Sequence, residues 1–415
     1  PRRRPPVRRA GGAAVAAAVA LLLTAGAARA EVTLVESDDG ETTFGLGGYA
    51  RELSGVQLPA IEGLGLPDAI GLSQALLRLE WKLVVGQVAT FEVHDRLALT
   101  VTGSEAPLGL GVGVTPAPGR SVELSSTIVD EGGTTLEHDV DRLVLRLFLG
   151  RVDVAVGRQA VTWGTSGLFT VADVWAAFSP FDLDTSQKRG VDAVRVGAPL
   201  GERAELDVIV ADRGRAEDVS AGARVTAYLG EADVYVAAAK AWRELAVAAG
   251  VSWAFDEVKL RAEVWWPVWD LDEEGPLRPR ATAGVDWFHG DLTLTLEGHW
   301  HGEGAAGPAG YAAYAATSRE LARGESFWLG RGYAGAAARY ELTEQLALSV
   351  SVIANVVDPS ALIVTSLRYD VAQNVDLGVG AFDGVGGGAD VAAGRFESEL
   401  GAYGHLVYLD LAAWF

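Results

Sequence analysis

Glu297, His299 and His301 alternate in the stretch "LTLTLEGHWH". On a strand they share one face, yet side chains two residues apart stand about 6.5–7 Å from one another, so a single ion would need a further ligand from a neighbouring strand. The competing reading is a polar wall that holds no metal. The other histidines, His94, His138, His289 and His405, show no spacing that joins a serine and an aspartate into a nucleophilic triad. The glycine-rich run "GVGAFDGVGGGAD" has no following Lys-Ser or Lys-Thr and is no phosphate loop. The acidic stretches "VDEGG", "DLDEEG" and "RGRAED" lack EF-hand spacing; they either bind Ca²⁺ in an irregular loop or simply stay hydrated. With no Cys in the chain, thiol catalysis, thiolate metal sites and disulfides are excluded. These residues point away from an enzyme, and neither a metal nor a cofactor is expected.

The dominant signal is alternation with period two. "SQALLRLEWKLVVG" sets Leu77, Leu79, Trp81 and Leu83 against Arg78, Glu80 and Lys82. "DRLVLRLFLG" sets Leu143, Leu145 and Leu147 against Arg142 and Arg146, and "VKLRAEVWW" sets Leu260, Ala262, Val264 and Trp266 against Lys259, Arg261 and Glu263. Period two means strands whose two faces meet different surroundings. Candidate strands begin near 43, 72, 87, 138, 151, 191, 202, 221, 232, 245, 258, 278, 292, 329, 346, 361, 375 and 401. Together they predict an all-β chain of about 18 strands, within a range of about 16–18.

The connections separate a soluble sandwich from a membrane barrel. Every second one is very short, as at Gly150-Arg151, Gly230-Glu231, Asp256-Glu257 and Gly290-Asp291. Most of the others are long, including 58–71, 104–137, 164–190, 269–277, 302–328 and 384–397. Short turns on one rim and long loops on the other describe an antiparallel transmembrane β-barrel, with periplasmic turns and extracellular loops. Aromatics gather at both strand ends. Trp265, Trp266, Trp269, Trp300, Phe327 and Trp328 fall near the long loops. Trp253, Phe255, Trp287, Phe288, Tyr340, Trp414 and Phe415 fall near the short turns, as expected of two interfacial girdles. The closing stretch "HLVYLDLAAWF" keeps the alternation to Phe415 and is expected to pair with the segment around "TTFGLGGYARELSG", closing the ring.

Export fits this reading. Residues 1–30 combine the basic "PRRRPPVRRA", an apolar core and "ARA" before Glu31, the layout of a signal peptide cleaved after Ala30. The chain has no Met, so its natural start is expected to lie upstream or to have been altered. The mature part, 31–415, carries 28 Lys and Arg against 55 Asp and Glu, a formal charge of −27 that argues against nucleic acid as a partner. Hydrophobic content is 49%, yet no mature stretch has the uncharged length of a membrane helix. The expected location is the outer membrane of a Gram-negative bacterium.

One region stands out. "VAVGRQAVTWGTSGLF" followed by "FSPFDLDTSQKRGVDAVRV" holds Gly157, Arg158, Gln159, Trp163, Gly164, Phe178, Pro180 and Asp182. This pattern resembles one found in alginate-export-like and related porin-like outer-membrane families. The resemblance covers about forty residues and is specific for a superfamily rather than for a solute. A terminal aromatic strand is also similar to the carboxy-terminal signal by which bacterial outer-membrane barrels are recognised for assembly. In such families a loop folds into the lumen and charged residues near it set selectivity. The residues support an infolded loop at 164–190 independently. Phe169, Trp175, Phe178 and Phe181 give it too much apolar surface to stand in water. Strand parity sets Arg158 with Val152, Val154 and Val156 on the lipid side, where an arginine costs about 2–4 kcal/mol. Arg158 either snorkels from near the rim or, as the favoured resolution, is turned inward by a bulge at Gly157. Once there, Arg158 either meets solute or braces the loop by pairing with an acid such as Asp173 or Asp182.

The expected lumen face mixes charges. Arg78, Lys82, Arg96, Arg142, Arg146 and Arg151 lie on early strands, while Glu205, Asp207, Glu263, Asp286 and Glu297 lie further round. Two consequences are open: a transverse field favouring polar, dipolar or anionic solutes, or simple pairing that stabilises the wall. The expected constriction groups are Arg158, Asp173, Asp182 and Asp184, with Arg78, Lys82, Arg142, Arg146, Glu263 and Glu297 lining the pore. The function that follows is passive diffusion of small hydrophilic solutes, with outer-membrane lipid, the barrel assembly machinery and a small polar solute as partners. The alternatives are a specific pore for an oligosaccharide or hydrophobic compound, or an outer-membrane enzyme or structural barrel. The sequence leaves the oligomeric state open.

Overall fold

The computed structural model describes residues 31–103, 119–179, 186–272 and 277–415. The expected signal peptide lies outside them, as do Asp182 and Asp184. Eighteen antiparallel strands close into one ring. In chain order they are β1 (Thr42–Leu58), β2 (Ile70–Val85), β3 (Ala89–Thr102), β4 (Thr134–Leu149), β5 (Val152–Gln159), β6 (Val191–Pro199), β7 (Ala204–Asp212), β8 (Ser220–Leu229) and β9 (Ala232–Ala241). There follow β10 (Glu244–Phe255), β11 (Val258–Asp270), β12 (Arg280–His289), β13 (Leu292–His301), β14 (Gly332–Thr343), β15 (Leu346–Asn355), β16 (Ser360–Ala372), β17 (Val375–Val385) and β18 (His405–Trp414). Each pairs with its chain neighbours, and β18 returns to β1 in a register running from Tyr49 opposite Trp414 to Leu58 opposite His405.

The alternation explains the wall. Val236, Leu296, Val407 and Leu409 project outwards and are more than half exposed, as a lipid-facing surface requires. The short turns sit on one rim. Gly150 (φ 72°) and Gly230 (φ 69°) take left-handed backbone there, the conformation a tight hairpin needs and a side chain resists. Trp253, Phe255, Trp287, Phe288 and Tyr340 are exposed near this rim, and Trp266, Trp269 and Trp300 near the other.

Four features depart from expectation. Glu31–Glu36 forms a short strand on β1, covering the part of its edge, Thr43–Gly47, that β18 does not reach. Ser125–Glu131 pairs with the upper part of β4 and extends it as a hairpin. The segment between β13 and β14 carries two short helices, α1 (Tyr311–Thr317) and α2 (Arg319–Arg323), where a loop was expected. Trp265 and Trp328 are buried rather than girdle residues: Trp265 points inwards under Arg280, and Trp328 packs with Phe169 and Tyr333.

Candidate functional site in the barrel lumen

Inside the ring, residues 160–179 lie along the inner faces of β7 to β14. Two carboxylates hold them. Glu263, inward on β11, accepts the backbone amides of Thr165 (2.7 Å), Val171 (3.2 Å) and Ala172 (3.0 Å), and the hydroxyls of Ser166 and Tyr235. Glu297, inward on β13, accepts the amides of Gly167 (3.0 Å), Leu168 (3.2 Å) and Phe169 (2.8 Å). A hydrogen bond to a charged acceptor contributes about 1.5–3 kcal/mol, so two such clusters fix the path of the segment. A segment away from the sheet has no strand partner for its amides, and buried amides must find acceptors; Glu263 and Glu297 supply them.

The aromatic side chains of the segment seat where the wall thins to glycine. A Cβ on Gly222 would stand 2.6 Å from the Trp163 ring, and one on Gly335 would stand 2.7 Å from Leu168 and 3.0 Å from Phe169. The Trp163 indole also donates to Asp207 (2.9 Å) and meets Trp175 edge to face at 4.9 Å. Guanidinium groups interleave with these rings. Arg224 stands 5.7 Å from the Trp163 ring, Arg213 5.8 Å from Trp175 and 5.0 Å from Trp242, and Arg323 5.1 Å from Trp242. At the base of the segment Lys188 bonds Asp173, the carbonyl of Val161 and the Thr162 hydroxyl, joining its two ends.

Most of the remaining expected site residues are engaged in pairs. Arg78 is fully buried and bonds Glu80 (2.7 Å) and Asp141 (2.8 Å). Arg142 donates to the carbonyls of Asp141 and Lys188, and Arg146 to Glu92 (2.6 Å). Lys82 is half-buried opposite Glu92 in the β2–β3 register. Arg195–Asp207 and Arg261–Asp286 close at 2.7 Å each. The wall charges therefore neutralise one another locally. Glu263 and Glu297 stand under the segment they hold, and Asp173 also faces the cavity described below.

Arg158 is placed at the rim. The register runs unbroken through Gly157 on both sides, although Gly157 itself has φ 115°. The slip lies instead on β4, which gains Asp141 between the residues facing His94 and Asp95. Arg158 thus keeps the outward parity of exposed Val156, and chain rather than lipid covers it. Its guanidinium bonds Asp192 (2.7 Å) and the carbonyls of Val140 and Val122, while Asp192 accepts the amides of Ser121 and Val122 (3.0 Å each). The acid is Asp192, and what the pair braces is the crossing at 119–124.

Opposite the infolded segment a cavity of about 720 Å³ remains between it and β15 to β18 with β1. Its lining includes Arg51, Arg368, Phe382, Tyr408 and Asp410 from the wall. None of these was singled out from the sequence. The alternation of β18 did put Tyr408 and Asp410 on the inward face, but only the path of the segment shows which stretch of inner wall stays uncovered. His299, considered above as a ligand, stacks on Phe169 at 5.0 Å.

An eighteen-stranded closed wall with a segment stitched inside it can be compared with known proteins. OccAB2 of Acinetobacter baumannii superposes with a TM-score of 0.56 over 90% of this chain and 98% of that one, at 9% identity. The chain shares the closed β-barrel fold of that protein. Mutant forms of the Rhodopseudomonas blastica porin align over 90% of this chain and 100% of theirs, at 14% identity with a TM-score of 0.46 and at 13% with 0.45. No family model and no curated protein matches the sequence. In this barrel the segment 160–179 occupies one side of the lumen, and the other side carries the open space.

Proposed function

We propose that this porin-like barrel is an outer-membrane channel that passes small hydrophilic solutes by diffusion, narrowed by the segment 160–179. The observation that carries the reading is the 720 Å³ cavity bounded on one side by that segment and on the other by β15 to β18 and β1. Barrels of about 16–18 strands leave an aqueous lumen unless something fills it, and here the filling is one-sided. Its partners are outer-membrane lipid, the assembly machinery and the solute, and it reaches the membrane as an exported chain. Shortening the segment between Gly167 and Gln187 is expected to raise single-channel conductance in a planar bilayer. Arg158→Ala is expected to add current noise with little change in reversal potential, because the Arg158 charge is spent on Asp192 at the rim. Wild-type protein that conducts no ions, or a shortened variant with unchanged conductance, overturns the reading.

A further inference from the structure

We infer that the passage selects neutral polyhydroxylated solutes, of the size and chemistry of small sugars and polyols, by hydrogen bonding rather than by charge. This inference rests on the channel reading above. Four charged side chains face the cavity among the described residues, Arg51 and Arg368 against Asp173 and Asp410, and their formal charges balance. Each is also answered by a neighbour. Arg51 holds Asp410 with two bonds, Arg368 lies 3.3 Å from Asp376, and Asp173 is bound by Lys188. Balanced, paired charges along this part of the wall give it little long-range means of concentrating one ion over another.

What the passage offers instead is hydroxyl groups and aromatic faces. Thr162, Ser166 and Thr170 of the infolded segment face Ser351 and Ser366 of β15 and β16 across the cavity. Ser351 and Ser366 are shared with a second, smaller cavity, where Thr293, Thr295 and Ser349 continue the hydroxyl surface along the inner wall beside Arg339, which is paired with Glu341 at 3.5 Å. Hydroxyls both donate and accept, so successive ones can exchange partners with a solute that does the same. Tyr408 stands beside them, partly exposed, its ring centroid 5.9 Å from that of Phe382, which is buried in the cluster that includes Tyr403 and Leu406 and backs it. The Tyr408 ring lies across Gly380, its register partner on β17: a Cβ there would stand 2.4 Å from the hydroxyl oxygen. Glycine at that position lets the tyrosine lie along the wall, giving the passage an apolar platform without blocking it. Polar rims around aromatic platforms suit molecules with hydroxyls at their edges and C–H groups on their faces, and a space of about 300–1,000 Å³ is a usual size for holding one.

The test uses the full barrel in liposomes and planar bilayers. Glucose is expected to enter liposomes at least as fast as gluconate and glucosamine, which share its size and carry opposite charges. The potassium-to-chloride permeability ratio is expected to stay within about twofold of unity. Sucrose added to an open channel is expected to reduce the current reversibly. Tyr408→Ala should weaken that block about three- to tenfold while making the sugar-free current larger, and Tyr408→Phe, which removes one oxygen, should weaken it less. A permeability ratio beyond about tenfold for either ion, faster entry of gluconate or glucosamine than of glucose, or an undiminished block in Tyr408→Ala overturns the inference while leaving the channel reading intact. A barrel that conducts nothing overturns the channel reading itself.

Discussion

Arg51 and Asp410 are bonded side by side across the seam where the first and last barrel strands meet: Nε of Arg51 lies 2.6 Å from one carboxylate oxygen and Nη2 lies 3.0 Å from the other. The pair closes the ring with side chains as the β1–β18 ladder closes it with backbone, and it does so facing the cavity. Removing one partner of a buried ion pair costs about 3–5 kcal/mol, because the other charge is left uncompensated. Asp410→Asn is therefore expected to lower the temperature at which the barrel loses its folded mobility on a denaturing gel, and to shift reversal potential towards anions. Arg51→Gln should shift it towards cations. Shifts of the same sign in both variants would remove this pair from the selectivity of the passage.

Glu297 predicts a different outcome. It holds three consecutive amides of the infolded segment, and a glutamine there keeps only one accepting oxygen. Glu297→Gln is expected to raise conductance modestly and to add flicker, as the tip of the segment moves on and off the wall. Gly335→Val should do the same by a separate route, since its side chain would occupy the notch filled by Leu168 and Phe169. Steady currents of wild-type size in both would show that the segment is held elsewhere.

The long loops carry a pH-dependent tie. Glu399, in the β17–β18 loop, accepts the amides of Leu329 (2.7 Å) and Gly330 (3.1 Å) from the β13–β14 segment, and Asn355 bridges it to Asp358. Burial pushes its carboxyl up from 4.5 to about 7, with the neighbouring Asp358 charge adding to the rise and the Tyr333 hydroxyl and the two amides opposing it. A folded-state value above the ordinary one means that the stabilisation is complete below about 4.5 and is lost as pH rises through about 7. Proteolysis within 302–331 should accordingly be slower at pH 5 than at pH 8, measured with a protease active at both. Glu399→Gln should flatten the difference, and an unchanged pH ratio in that variant would assign the effect to another group.

Phe415 and Gly48 exchange backbone hydrogen bonds of 2.9 and 3.0 Å, at the point where β18 hands the edge of β1 to the strand Glu31–Glu36. Deleting Trp414 and Phe415 opens that edge. The expected result is a fall in outer-membrane yield with accumulation of unassembled chain, measured by membrane fractionation. Normal membrane levels would show that the junction is dispensable for assembly.

Alternation in the sequence was sufficient for the wall, because burial on one face and exposure on the other is a property of each strand by itself. The strand positions, the rim of short turns, the closing pair of strands and the inward side of Arg78, Glu263 and Glu297 all follow from it. Parity also placed Arg158 outwards, but the slip on β4 and the covering chain at 119–124 are contacts between distant segments, which no local pattern encodes. The same holds for the lumen. Period two says which side chains point inwards; it does not say which of them the segment 160–179 will cover. Glu263 and Glu297 turned out to hold that segment, while Arg51, Arg368, Phe382, Tyr408 and Asp410 face the space left over. That division depends on where Trp163 and Phe169 find glycine notches across the ring, at Gly222 and Gly335, and so was decided by packing between residues far apart in the chain.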